Sequence, residues 1–118
     1  MGITHIEGIV RGPTGQEAPV RFLVDSGATY SLLPKAIWES IELVPKRQQS
    51  FALADGTVVQ RWVSECYLML PQGEGHTPVI LGEPGDDEPL LGVVTLEILA
   101  LVFNPFSRTL QPMRLLLI

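Results

Sequence analysis

The chain has 118 residues, room for one hydrophobic core and too little for two. Its 8 Lys and Arg against 13 Asp and Glu give a formal net charge of −5, so it lacks the basic stripe that nucleic-acid binding needs. Hydrophobic residues at 46% exclude a disordered chain, and a single cysteine, Cys66, excludes an intramolecular disulfide framework and a Cys-rich zinc site.

The 11 glycines and 10 prolines imply many turns, and so short strands rather than long helices. Ile3 to Arg11 is rich in β-formers and ends at Gly12-Pro-Thr-Gly15, a strong turn signal. Pro19 to Val24 reads as a second strand, so the pair is a hairpin. Pro34 to Ile41 has helical spacing in Ile37, Trp38 and Ile41, and Pro45 stops it. Phe51 to Leu53 and Thr57 to Leu70 read as strands around Asp55-Gly56, a dipeptide favoured in tight hairpins. On the second of these, Val58, Trp62, Cys66, Leu68 and Leu70 share one parity and Arg61 and Glu65 the other, which places Trp62 and Cys66 in the core. Pro71 to Thr77 reads as a loop, Val79 to Leu81 as a short strand, and Gly82 to Glu88 as a solvated acidic loop. Leu90-Leu-Gly92 precedes a short helix, Thr95 to Leu99, with Thr95 as its N-cap. Leu101 to Phe103 and Leu110 to Ile118 complete a mainly β chain of seven or eight short strands with one or two short helices, a single domain over residues 1–118.

One feature carries chemistry. The apolar run Phe22-Leu-Val24 leads straight into Asp25-Ser26-Gly27, and a carboxylate directly after a buried strand needs a reason. Asp, Ser and Gly all favour turns, so the tripeptide alone is a weak signal. Its context is rarer: it continues as Ala28-Thr-Tyr-Ser-Leu-Leu33, an Asp-Gly hairpin follows, and Leu90-Leu91-Gly92 comes later, then a short helix and a strand.

This arrangement resembles the retropepsin-like aspartic proteases, the single-domain half of the pepsin architecture. Phe22 to Thr29 looks like their catalytic strand and loop, and Leu90-Leu91-Gly92 like their second hydrophobic-hydrophobic-Gly motif. The stretch Pro89 to Pro105 is similar to small bacterial and archaeal members, which more often carry Asp at the place of Asn104. The resemblance implies a closed β-barrel that pairs about a twofold axis. It makes Asp25 the catalytic residue. Ser26, Gly27 and Ala28 become its supporting loop, with Ser26 bracing across the axis where the family more often has Thr. Ala54, Asp55, Gly56 and Thr57 become the tip of a flap over the substrate, though the family's flap is usually richer in glycine. Leu90, Leu91 and Gly92 support the loop crossing.

Aspartic proteases use two carboxyl groups that cannot both ionise easily, so the pair holds one proton between them. This chain has a single Asp-[Ser/Thr]-Gly, so the second Asp must come from a second copy of the chain. The expected activity is a homodimeric aspartic endopeptidase acting on peptides or unfolded protein, with no metal and no cofactor. The alternative is a catalytically silent dimerisation or peptide-binding module of the same fold. The terminal segments, Met1 to Ile6 and Met113 to Ile118, are expected to interleave between subunits. His5 and His76 read as surface residues, and Glu83, Asp86, Asp87 and Glu88 match no cation loop. No basic, apolar leader or spanning segment is evident, which reads as a cytoplasmic protein with no membrane partner.

Overall fold

The computed structural model describes residues 3–118. Among them run nine strands and two short helices: β1 (His5–Arg11), β2 (Glu17–Val24), β3 (Ser31–Leu33), α1 (Lys35–Ser40), β4 (Arg47–Ala52), β5 (Val58–Leu70), β6 (Gly73–Leu81), β7 (Leu90–Leu91), α2 (Val93–Ile98), β8 (Leu101–Asn104) and β9 (Thr109–Pro112).

Seven strands form one sheet in the order β1-β2-β7-β3-β6-β5-β4, and β1 pairs again with β5, Ile9 opposite Met69. That second pairing closes six strands into a ring and removes their edges, while β4 stays outside it on β5. The expected hairpin opens the ring, with Arg11 opposite Glu17 and their side chains joined at 2.8 Å. Its alternate residues Ile6, Val10, Val20 and Phe22 point inward and meet Leu33, Leu68, Val79 and Leu91 in the core. α1 closes one end through Ile37 and Trp38, and the Trp38 indole N–H donates to the Gly82 carbonyl at 2.9 Å.

β5 serves two layers. Ser64, Cys66, Leu68 and Leu70 face the barrel core, and burial pushes the Cys66 thiol up to about 12. The burial phase switches at Val63–Ser64, both of which are buried, and Val59 and Arg61 become the inward-facing set beyond it. Trp62 is therefore 42% exposed, against its expected place in the core.

Three other expectations need correction. The stretch Pro71 to Thr77 is not a loop, because Gly73 onward pairs with β5 from Leu70 to Cys66 and buries Thr77. Thr95 does not cap α2. Gly92 holds the N-cap position and Thr95 lies inside the helix, fully buried. The final strand ends at Pro112 and pairs with β8 of the same chain, Leu101 opposite Pro112, as a separate two-stranded sheet; Leu115 to Ile118 are exposed. Of the expected N-terminal strand, Met1 and Gly2 lie outside the described residues.

Candidate active site

Asp25 sits where β2 ends. β7 lies parallel to that end, Leu23 opposite Leu90 and Val24 opposite Leu91, and antiparallel to β3 at Leu32. The Leu23 N–H donates to the Pro89 carbonyl at 2.8 Å and the Asp25 N–H to the Leu91 carbonyl at 3.1 Å. The chain then turns tightly: the Ala28 N–H donates to the Asp25 carbonyl at 3.1 Å, and the Gly27 N–H to Asp25 Oδ1 at 2.9 Å. The first N–H groups of α2 fix the far side of the turn, Val93 to the Ala28 carbonyl and Val94 to the Thr29 carbonyl, each at 2.9 Å. Gly92 stands at the crossing, packed against the backbone of Tyr30 and Ser31.

Beneath the crossing lies a chain of buried hydroxyls. The Gly92 N–H donates to Ser31 Oγ at 3.0 Å, Ser31 and Thr95 hydroxyls lie 2.5 Å apart, and Thr95 and Thr77 hydroxyls 2.7 Å. The Thr77 hydroxyl donates to the Pro78 carbonyl at 3.2 Å, so the proton order runs Ser31 to Thr95 to Thr77. Replacing Thr95 by the near-isosteric Val leaves Ser31 without an acceptor and Thr77 without a donor. Thr95→Val is expected to cost about 2–3 kcal/mol in urea unfolding, and Thr95→Ser distinctly less.

Above Asp25 is a cleft of about 740 Å³. The turn between β4 and β5 reaches over it, with Leu53 and Ala54 lining the same space as Asp25, Gly27 and Ala28. The turn is tight: the Leu53 N–H donates to the Thr57 carbonyl at 2.7 Å, the Gly56 N–H to the Leu53 carbonyl at 2.9 Å, and Gly56 has φ 89°. Of the four residues read as the flap tip, only Ala54 lines the cleft. Asp55 is spent on the turn, its Oδ1 accepting from the Thr57 N–H at 2.9 Å, and hydrogen bonds from Thr57 hold its carboxyl below the usual range.

Two cleft residues escaped the sequence reading. Arg61 Nε donates to Asp86 Oδ2 at 2.8 Å and Nη2 to Oδ1 at 3.3 Å, and both residues line the cleft. Asp86 thus leaves the solvated loop assigned to it and is about three-quarters buried. The hydrogen bond from Arg61 holds its carboxyl below the ordinary value of 3.8, against the opposing effect of burial. A depressed carboxyl stabilises the fold above its unfolded pKa, and that contribution disappears as pH falls through the folded pKa. Asp86→Asn is therefore expected to unfold at lower urea than the wild type near pH 6. The gap should narrow below about pH 3.8.

A second, more apolar groove of about 890 Å³ lies on the other side of Asp25, walled by Ser26, Val93, Leu96, Phe103 and Phe106. Ser26 is exposed there, and Phe106, at the β8–β9 turn, is 98% exposed. Asp25 thus borders both spaces.

A closed β-ring with an Asp-Ser-Gly turn at one strand end, crossed by a Leu-Leu-Gly strand and overhung by a hairpin, is the retropepsin-like fold. The chain is similar to the solved structure of EIAV protease complexed with the inhibitor HBY-793, with a TM-score of 0.63 at 16% identity over 83% of this chain and 88% of that one. The model of the gag-polyprotein putative aspartyl protease family matches residues 14–97, and the chain belongs to that family. No curated protein matches it. No helix among the described residues is long and apolar enough to cross a membrane.

Proposed function

We propose that the chain is an aspartic endopeptidase that works as a homodimer, each copy giving one Asp25 to a shared carboxyl pair. The observation that carries this reading is the position of Asp25 between a roofed cleft and an apolar groove. The cleft has the place for an extended peptide, and the groove, with Ser26 on its wall, has the place for a second copy. Asp86, the other carboxylate on the cleft wall, is held by Arg61, and Asp55 by its own turn, so neither is free to act as the partner acid.

In the proposed reaction one Asp25 is ionised and takes a proton from water as its oxygen attacks the peptide carbonyl carbon. The other, protonated, donates to the carbonyl oxygen. The tetrahedral intermediate then collapses, the C–N bond breaks, and the amine leaves with a proton from the pair. Leu53 and Ala54 would close over the bound peptide, and β4 and the Ala28–Thr29 loop would offer backbone groups to it. β9 pairs within its own chain, and in this reading the dimer contact is made by the exposed segment Leu115 to Ile118 beyond it together with the β8–β9 sheet and its exposed Phe106. The test is incubation with an unstructured peptide library between about pH 4 and 7, beside Asp25→Asn, with cleavage sites read by mass spectrometry.

A further inference from the structure

We propose that Arg47 selects an acidic side chain of the peptide at one end of the cleft. This specificity rests on the endopeptidase reading above, but it concerns peptide binding and can be tested apart from turnover.

Arg47 begins β4, the outer strand of the hairpin over the cleft. Its Nη2 donates to the Tyr30 hydroxyl at 2.9 Å and its Nη1 to Gln49 Oε1 at 2.7 Å. Tyr30 and Gln49 both line the cleft with Asp25. The guanidinium also lies 5.8 Å from the centre of the Tyr30 ring, and that ring meets Phe51 edge to face at 5.8 Å. The head group is therefore held at the cleft margin, and little rotamer freedom is left for a ligand to freeze.

The charge of this cation at the cleft margin is not used. Arg11 pairs with Glu17, Arg21 with Glu7, Lys46 with Glu65 and Arg61 with Asp86. Arg47 is in none of the ion pairs among the described residues, and both of its hydrogen-bond partners are neutral. Two of the five N–H donors of a guanidinium are engaged, so three remain. Arg47 is exposed, so these donors keep access to solvent and to a ligand. A carboxylate arriving beside Tyr30 would meet a pre-set planar fork, the geometry for which arginine outranks lysine. Arg61, the cation that lines the cleft itself, offers no such site because Asp86 takes two of its donors. The chain's net charge of −5 works against acidic peptides only at long range, and near 0.15 M salt screening confines that effect to about 8 Å.

The experiment compares fluorescein-labelled peptide pools that differ only in carrying Glu or Gln at one fixed position. Binding is read by anisotropy on the full chain carrying Asp25→Asn, which cannot cleave in the proposed reaction, and cleavage by kcat/KM on the wild type. At one position the Glu pool should bind, and be cleaved, about 5–30-fold better than the Gln pool. Arg47→Met should bring that ratio close to one, and Arg47→Lys should restore part of it. An absent Glu preference at every position, or one that persists in Arg47→Met, overturns the proposal. Cleavage without a Glu preference would sink the Arg47 role and leave the peptidase standing. A preference in binding that Arg47→Met removes, with no cleavage by the wild type, would do the reverse.

Discussion

Asp25→Asn should abolish peptide hydrolysis while leaving the fold intact. The substitution keeps an oxygen at Oδ1 to accept the Gly27 N–H, and the backbone bond from Asp25 to Leu91 does not involve the side chain. Thermal midpoint and circular dichroism should therefore stay close to the wild type. The amide can neither take a proton from water nor donate one to the substrate oxygen as an acid. In the proposed dimer both copies lose the group at once, so kcat should fall by at least about a thousandfold with little change in KM. Cleavage retained in this variant would remove Asp25 from the chemistry.

Gly92→Ala should be the most damaging small substitution at the site. A Cβ at Gly92 would lie 2.5 Å from the Tyr30 carbonyl carbon, 2.7 Å from its oxygen and 2.9 Å from the Ser31 nitrogen. All three are backbone atoms and cannot swing aside. The φ at Gly92 is an ordinary −95°, so the requirement is for space rather than for an unusual conformation. Relief must come from separating the β7–α2 crossing from the Asp25 loop, which strains the bonds from Val93 and Val94 to Ala28 and Thr29. The expected loss is about 2–3 kcal/mol, or on the order of 10 °C in thermal midpoint, together with most of the activity. Gly56→Ala is the contrast. It has open space around it and only a positive φ to resist, and should cost about 1 kcal/mol. Equal stability of the two variants would contradict the packing argument.

The sequence made the site's frame readable where local chemistry announces it. A strand ending in Asp-Ser-Gly, a Leu-Leu-Gly segment and an Asp-Gly turn each carry their own signal, and the structure brings the first two together and hangs the third above them. What stayed hidden depends on partners distant in sequence. Arg47 to Ser50 has no apolar alternation and is a strand because β5 templates it. Gly73 to Thr77 reads as polar loop and is a strand for the same reason. Arg61 and Asp86 are 25 positions apart, and nothing near either one names the other. One cause accounts for both Trp62 and Arg61. A single parity along β5 puts Trp62 inside and Arg61 outside, whereas the strand's inward face changes at Val63–Ser64, and no residue in the sequence marks that change. Thr95 looks like a cap by type, yet its hydroxyl is taken by Ser31 and Thr77 below the site.

The most direct test of the shared-carboxyl account is subunit mixing. Wild type and Asp25→Asn are combined in equal amounts at high dilution, concentrated together, and assayed at fixed wild-type content. If each active site needs Asp25 from two copies, activity per wild-type subunit falls to about half, because mixed dimers carry one competent carboxyl and are silent. Activity per wild-type subunit that is unchanged by the variant would mean that one copy suffices, and would contradict the account.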